Sequence, residues 1–243
     1  MCGRLTREKT PDDDDFSERH RLSGRDLDQL KLGLTWNASP GMLLPVVVED
    51  ASGRPHVRPM RWGLLQRHGD GPNPINARAE TLLQKPIFRT PLLRTRCLIP
   101  ATGWYEWKTE GARRRPWYLT TTDRSLFALA GLYDAWRDDS GEIVASYCII
   151  TTRPAGTIAH VHDRMPVILR PEDEARWLDR TNRDHRHLLP LLRPYDPDLL
   201  TCHPVGSKVG NTTNDGPELI APLLDRSPAL PAPNRPFQLA LLG

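Results

Sequence analysis

Cys97-Leu98-Ile99-Pro100-Ala101-Thr102-Gly103-Trp104-Tyr105-Glu106-Trp107-Lys108 reads as two apolar strands interrupted at Ala101-Thr102-Gly103. The second strand enters a turn over 110–115 and returns through 117–120, which is the pattern of a β-hairpin. Outward from it the pattern repeats. Residues 42–48, 58–65, 125–134, 143–152 and 201–205 are further apolar runs, several of them alternating, set between turn-forming segments such as Asp138-Asp139-Ser140-Gly141. Many short strands at regular spacing predict a β-rich core.

Helices are expected around that core. The acidic run Asp12 to Asp15 opens a polar helical stretch reaching Leu32, and Pro171-Glu172-Asp173-Glu174 starts a helix that runs to Asp179. Trp36-Asn37-Ala38-Ser39-Pro40-Gly41 reads as a turn. Asn76 stands at the start of a short helix through Gln84, and 188–200 is helical but broken by prolines. The expected architecture is α+β, a single domain over 1–224 with a flexible proline-rich tail over 225–243.

Composition narrows the setting. The chain has 243 residues, 38% of them hydrophobic, which suffices for a sizeable core. It contains no run of about eighteen apolar residues and no basic-then-apolar leader, so neither a membrane partner nor a signal peptide is expected and the cytoplasm is the default. Four cysteines, at 2, 97, 148 and 202, lack CxxC spacing and are expected to be reduced thiols. A net charge of +3 permits an anionic partner without demanding one.

Met1-Cys2-Gly3-Arg4 carries the most distinctive chemistry. Once Met1 is removed, Cys2 bears its thiol and the α-amine on one residue, a 1,2-aminothiol. With ordinary pKa values of about 7.7–8.0 for the amine and about 8.5 for the thiol, both groups are expected to supply nucleophile near neutral pH. For an arbitrary protein the alternative is a frayed terminus with an accidental cysteine.

Three more polar groups stand out, each with a structural alternative. Asn76 could cap a helix, Glu106 could lie on the solvent face of its strand, and His162 could hydrogen-bond its turn. Glu106 is the most suggestive, because a carboxylate between Trp104-Tyr105 and Trp107 is partly desolvated and its pKa rises toward the range useful for proton transfer. His160-Val161-His162-Asp163 hints at a metal, but no second ligand pair stands at a known spacing. GxSxG, Walker and GxGxxG motifs are absent from the sequence. Arg113-Arg114-Arg115 reads as a solvated hairpin tip.

The ordered set of motifs resembles the SRAP (SOS response-associated peptidase) family, whose members attach themselves to abasic sites in single-stranded DNA. The resemblance runs from Met1 to about Pro222. It rests on Met1-Cys2-Gly3-Arg4, Trp36-Asn37 with Pro40, Met60-Arg61-Trp62-Gly63-Leu64, Ile75-Asn76-Ala77-Arg78-Ala79-Glu80, Gly103-Trp104-Tyr105-Glu106-Trp107, Ala130-Gly131-Leu132, His162-Asp163-Arg164-Met165-Pro166, His203-Pro204-Val205 and Asn214-Asp215-Gly216-Pro217-Glu218-Leu219. It implies a curved, barrel-like, mostly antiparallel β core flanked by short helices. It further implies Cys2 as nucleophile with Asn76, Glu106 and His162 around it, and Arg4, Arg78 and Arg164 at positions that hold DNA phosphates. The implied partner is single-stranded DNA containing abasic sites, met by a monomer with no cofactor and no metal. One departure is visible: where family members carry a proline and an aromatic after Trp-Gly-Leu, this chain has Leu65-Gln66-Arg67-His68, so base stacking is not carried over there and Arg67 and His68 stand in its place.

Three functions follow from these residues. The first is a sensor that forms a thiazolidine between Cys2 and the ring-opened aldehyde of an abasic site. A thiol peptidase or N-terminal-nucleophile hydrolase using the same cysteine, including removal of Met1, is the second. The third is a plain DNA-binding module indifferent to Cys2.

Overall fold

Where apolar side chains recur at every second position the chain forms strands. In order these are β1 (Leu5–Arg7), β2 (Thr35–Ala38), β3 (Leu43–Glu49), β4 (Pro55–Trp62), β5 (Asn76–Arg78), β6 (Arg96–Ala101), β7 (Gly103–Glu110), β8 (Arg113–Thr121), β9 (Phe127–Arg137), β10 (Ile143–Thr152), β11 (Met165–Pro166) and β12 (Leu200–Pro204). The helices are short: α1 (Asp13–Arg19), α2 (Gly24–Lys31), α3 (Pro86–Arg94), α4 (Pro171–Leu178) and α5 (His185–Leu188). The computed structural model describes residues 2–66, 73–154 and 156–223. Met1, Arg67, His68 and the expected tail over 225–243, with its boundary at 224, lie outside the described residues.

Strands β10, β4, β3, β6 and β9 pair in that order, and β9 pairs back with β10 to close a five-stranded barrel. Closure leaves no barrel edge exposed. The contact of β10 with β4 is parallel; the other barrel contacts are antiparallel. A second, antiparallel sheet runs β12-β8-β7-β1-β2. The α+β, mostly antiparallel architecture expected from the sequence is the one that forms.

Alternation along β9 separates two cores. Phe127, Leu129 and Tyr133 join Val46, Met60, Trp62, Ile99 and Ile149, and this cluster continues into Leu5, Trp104 and Leu119 of the second sheet. Ala128, Ala130 and Leu132 face the other way, onto Phe16, Leu30, Phe88, Leu92 and Trp177 of the helices. Local signals place those helices. Ser23 and Asp26 form a capping box on α2, and Pro171 with three acids occupies the first turn of α4. The buried Glu174 carboxylate then receives Arg19 at 2.8 Å and His20 at 2.9 Å, tying α4 to α1.

Two expectations need correction. Residues 76–84 do not begin a helix: Asn76–Arg78 is a strand, parallel to β10 with Asn76 opposite Ile149, and only a 3-10 turn at Ala79–Thr81 follows. Residues 36–38 are not turn but strand; the turn sits after them, closed by the Met42 amide on the Ser39 carbonyl at 3.2 Å. In both cases pairing with a distant strand overrides local propensity. Helix α3, not anticipated, forms because Pro86 occupies its first turn and Phe88 and Leu92 are buried.

Close approach fixes one glycine. A Cβ on Gly103 would fall on the phenol end of the buried Tyr118 ring, whose hydroxyl lies 3.1 Å from Thr6 Oγ1. Gly103→Ala is therefore expected to cost about 1–3 kcal/mol, read as a lower urea midpoint with an unchanged slope.

Candidate functional site

The start of the chain is docked. Leu5 and Thr6 pair with Trp104 and Gly103, and the Tyr105 amide donates to the Arg4 carbonyl at 3.1 Å, so the residues before Leu5 run back along β7 toward Glu106. Arg4 fastens this segment sideways. Its guanidinium donates to Asn37 Oδ1 at 2.7 Å, to the Val209 carbonyl at 2.6 Å and to the Gly210 carbonyl at 3.1 Å, with the Trp107 ring 6.0 Å away. Asn37 in turn donates to the carbonyls of Asn211 at 3.0 Å and Asn214 at 2.8 Å, and Asp215 accepts from the Trp36 amide at 2.6 Å. Cys2 is fully buried, part of the core between barrel and sheet.

Three side chains from other elements converge on it. Asn76, on β5, donates through Nδ2 to the Cys2 carbonyl at 2.7 Å, and its buried Oδ1 has no hydrogen-bond partner among the described residues. Glu106, on β7, is 2% exposed. His162, from the loop before β11, places Nε2 3.8 Å from Glu106 Oε2. Cys2, Asn76, Glu106 and His162, far apart in sequence, thus share one pocket.

Burial sets the electrostatics. Desolvation pushes the Glu106 carboxyl up to about 7, as its aromatic neighbours led us to expect. It also raises the Cys2 thiol well above its ordinary value, with the Glu106 charge adding to the effect. The expectation of a thiol ionising near neutral pH is therefore corrected: inside this pocket the sulfur keeps its proton. His162 is held below its ordinary value, chiefly by burial, so the imidazole is neutral at pH 7. Its Nδ1 accepts the Arg164 amide at 3.0 Å while also lying 2.9 Å from Asp163 Oδ1. One nitrogen cannot accept the amide and donate to the carboxylate together; in the tautomer whose Nδ1 accepts the Arg164 amide, the proton of the neutral ring sits on Nε2, toward Glu106.

The three arginines differ. Arg164 makes a bidentate pair with Glu80 at 2.8 and 3.0 Å and donates to the Thr151 carbonyl at 2.6 Å, bracing the His162 loop against β10. Like that of Arg4, its guanidinium is engaged by protein acceptors. Arg78, two residues beyond Asn76 on β5, is exposed, and its guanidinium has no hydrogen bond or ion pair among the described residues. No cluster of three metal-ligating side chains occurs among the described residues, and no described helix is long and apolar enough to cross a membrane.

Residues 1–212 match the family described as SOS response associated peptidase (SRAP). The chain belongs to the SRAP family. It is similar to the abasic site processing protein YoqW of Bacillus subtilis, 38% identical over 225 residues that cover 90% of this chain and 99% of that protein. It is 30% identical to the abasic site processing protein HMCES of Xenopus tropicalis over 280 residues, covering 97% of this chain and 83% of that one. A crystal structure of a Bacteroides thetaiotaomicron protein superposes with a TM-score of 0.77 at 25% identity, covering 92% of this chain and all of the other. Within the family motifs, Asn37 and Asp215 had no evident task in the sequence; here they hold the loop that receives Arg4.

Glu106 gives the site a pH signature. Its pKa is 4.5 when unfolded and about 7 when folded, so between these values the native protein holds a proton that the unfolded chain has released. Stability therefore falls as pH rises across that window and is level above it. Glu106→Gln lacks this fall, and the difference in urea-unfolding free energy between the two proteins is expected to change by up to about 3 kcal/mol across it.

Proposed function

We propose that this chain processes abasic sites in single-stranded DNA by forming a covalent thiazolidine through Cys2, acting as a cytoplasmic monomer that shields the damaged strand. The observation that carries the reading is the raised carboxyl of Glu106 beside the buried Cys2, with the neutral His162 3.8 Å from it. Relatives named as abasic site processing proteins support the substrate class.

The chemistry needs Met1 removed. The freed α-amine attacks the aldehyde of the opened deoxyribose and water leaves, giving an imine. The sulfur then adds to the imine carbon; its proton passes through Glu106 and ends on the ring nitrogen. Because the thiol is not ionised in this pocket, a base of pKa about 7 suits that transfer. From its imidazolium form His162 protonates the ring oxygen as the sugar opens, and it returns to the neutral ring on giving up the Nε2 proton. Asn76, with an open Oδ1, positions the sugar hydroxyl. Arg78 meets a phosphate, while Arg4 and Arg164 act as the frame of the pocket and add to its positive potential.

Incubation with single-stranded DNA carrying an abasic site is expected to give a band that survives denaturation and an intact mass of protein plus DNA less one water. Cys2→Ala gives neither, and Glu106→Gln slows the link by roughly 10²–10⁴-fold. An extension left ahead of Cys2 abolishes the stable link but leaves DNA binding. Equal crosslinking by Cys2→Ala would overturn the reading, and peptide turnover without a DNA adduct would return the site to the thiol-hydrolase alternative. For binding, Arg78→Ala is expected to weaken affinity and to lower the slope of log affinity against log salt by about 0.7.

A further inference from the structure

Resting on the reading above, we propose that the outer half of the β7–β8 hairpin is a second phosphate-binding wall, on which Lys108 and Arg115 hold the sugar-phosphate backbone of the strand flanking the abasic residue. The register places Glu106 opposite Trp117, Lys108 opposite Arg115 and Glu110 opposite Arg113, all on one face of the hairpin. Successive rungs on that face are about 7 Å apart, so the Lys108–Arg115 rung stands one nucleotide's reach from the Glu106 rung.

A solvated hairpin tip does not account for this arrangement. Like charges directly opposite one another on a sheet are destabilising. Glu110 lies 3.9 Å from both Lys108 and Arg115, the limit of ion pairing, so one carboxylate faces two cations. Neither cation is fully exposed, at 29% and 40%. Lys108 Nζ is held over the Trp117 ring at 5.3 Å, and Trp117 meets His160 edge to face at 5.2 Å. The Trp117 indole N–H is buried without an acceptor among the described residues.

Arg114, opposite Thr109, stands on the other face of the hairpin and is not part of the wall. An occupant with a repeating negative charge relieves the repulsion between Lys108 and Arg115. Such contacts track a backbone without reading bases.

Fluorescence anisotropy with an undamaged single-stranded oligonucleotide tests the wall without any crosslink. Replacing both residues by alanine (K108A and R115A together) is expected to lower the slope of log affinity against log salt by about 1.4, and to weaken binding ~10-fold near physiological salt. The charge-preserving double K108R, R115K keeps the wild-type slope. Wild-type binding by the alanine double would overturn the wall, and so would equal loss in both doubles, which marks a structural role. If the alanine double binds as wild type while Arg78→Ala is weakened, the wall falls and the proposed function stands. If wild-type protein shows no salt-dependent binding, both fall.

Discussion

Arg4 joins three segments remote in sequence: the chain start, Asn37 on β2, and the turn at Ser207–Gly210. A chain terminus ordinarily frays, because few contacts offset the entropy of ordering it. Here three guanidinium hydrogen bonds and the pairing of β1 with β7 hold it down, and Cys2 becomes part of the core. Remove that hold and the cysteine would be an ordinary mobile thiol, with Asn76, Glu106 and His162 lining an empty cleft.

Docking the terminus has an electrostatic result. The same packing that positions Cys2 removes water from both its thiol and the Glu106 carboxyl, and the Glu106 charge further disfavours ionisation of the thiol. The carboxyl, at about 7, is the group of the two that changes charge near neutral pH. His162 is held below its ordinary value in the same environment, so at pH 7 Glu106 is the group close to balance. Arg164, clamped by Glu80 and Thr151, keeps the His162 loop in register with β10 and thereby keeps that balance geometric as well as chemical.

Much of this was legible in the chain. The β7–β8 hairpin and the strands that make the barrel announce themselves by local alternation and turn residues, and the desolvation of Glu106 follows from the tryptophans beside it. The strand that carries Asn76 was hidden: three residues have no periodicity to read, and its partner β10 lies some seventy residues onward, in parallel. The engagement of Arg4 and Arg164 was equally invisible, since an arginine's freedom depends on which carbonyls the fold brings to it. The raised thiol of Cys2 came from burial, and an isolated terminus carries no sign of burial.

The hold on Arg4 also has an order in time. Its acceptors at Val209 and Gly210, and the Asn214 and Asp215 contacts that shape them, are made from the last part of the described chain. During synthesis the amino terminus emerges first and these partners emerge nearly last. Asn37 and β7 emerge earlier, so the leading residues meet their sheet partners before Arg4 meets its carbonyl acceptors. The hold on Arg4 is complete only once residues 207–215 have been made.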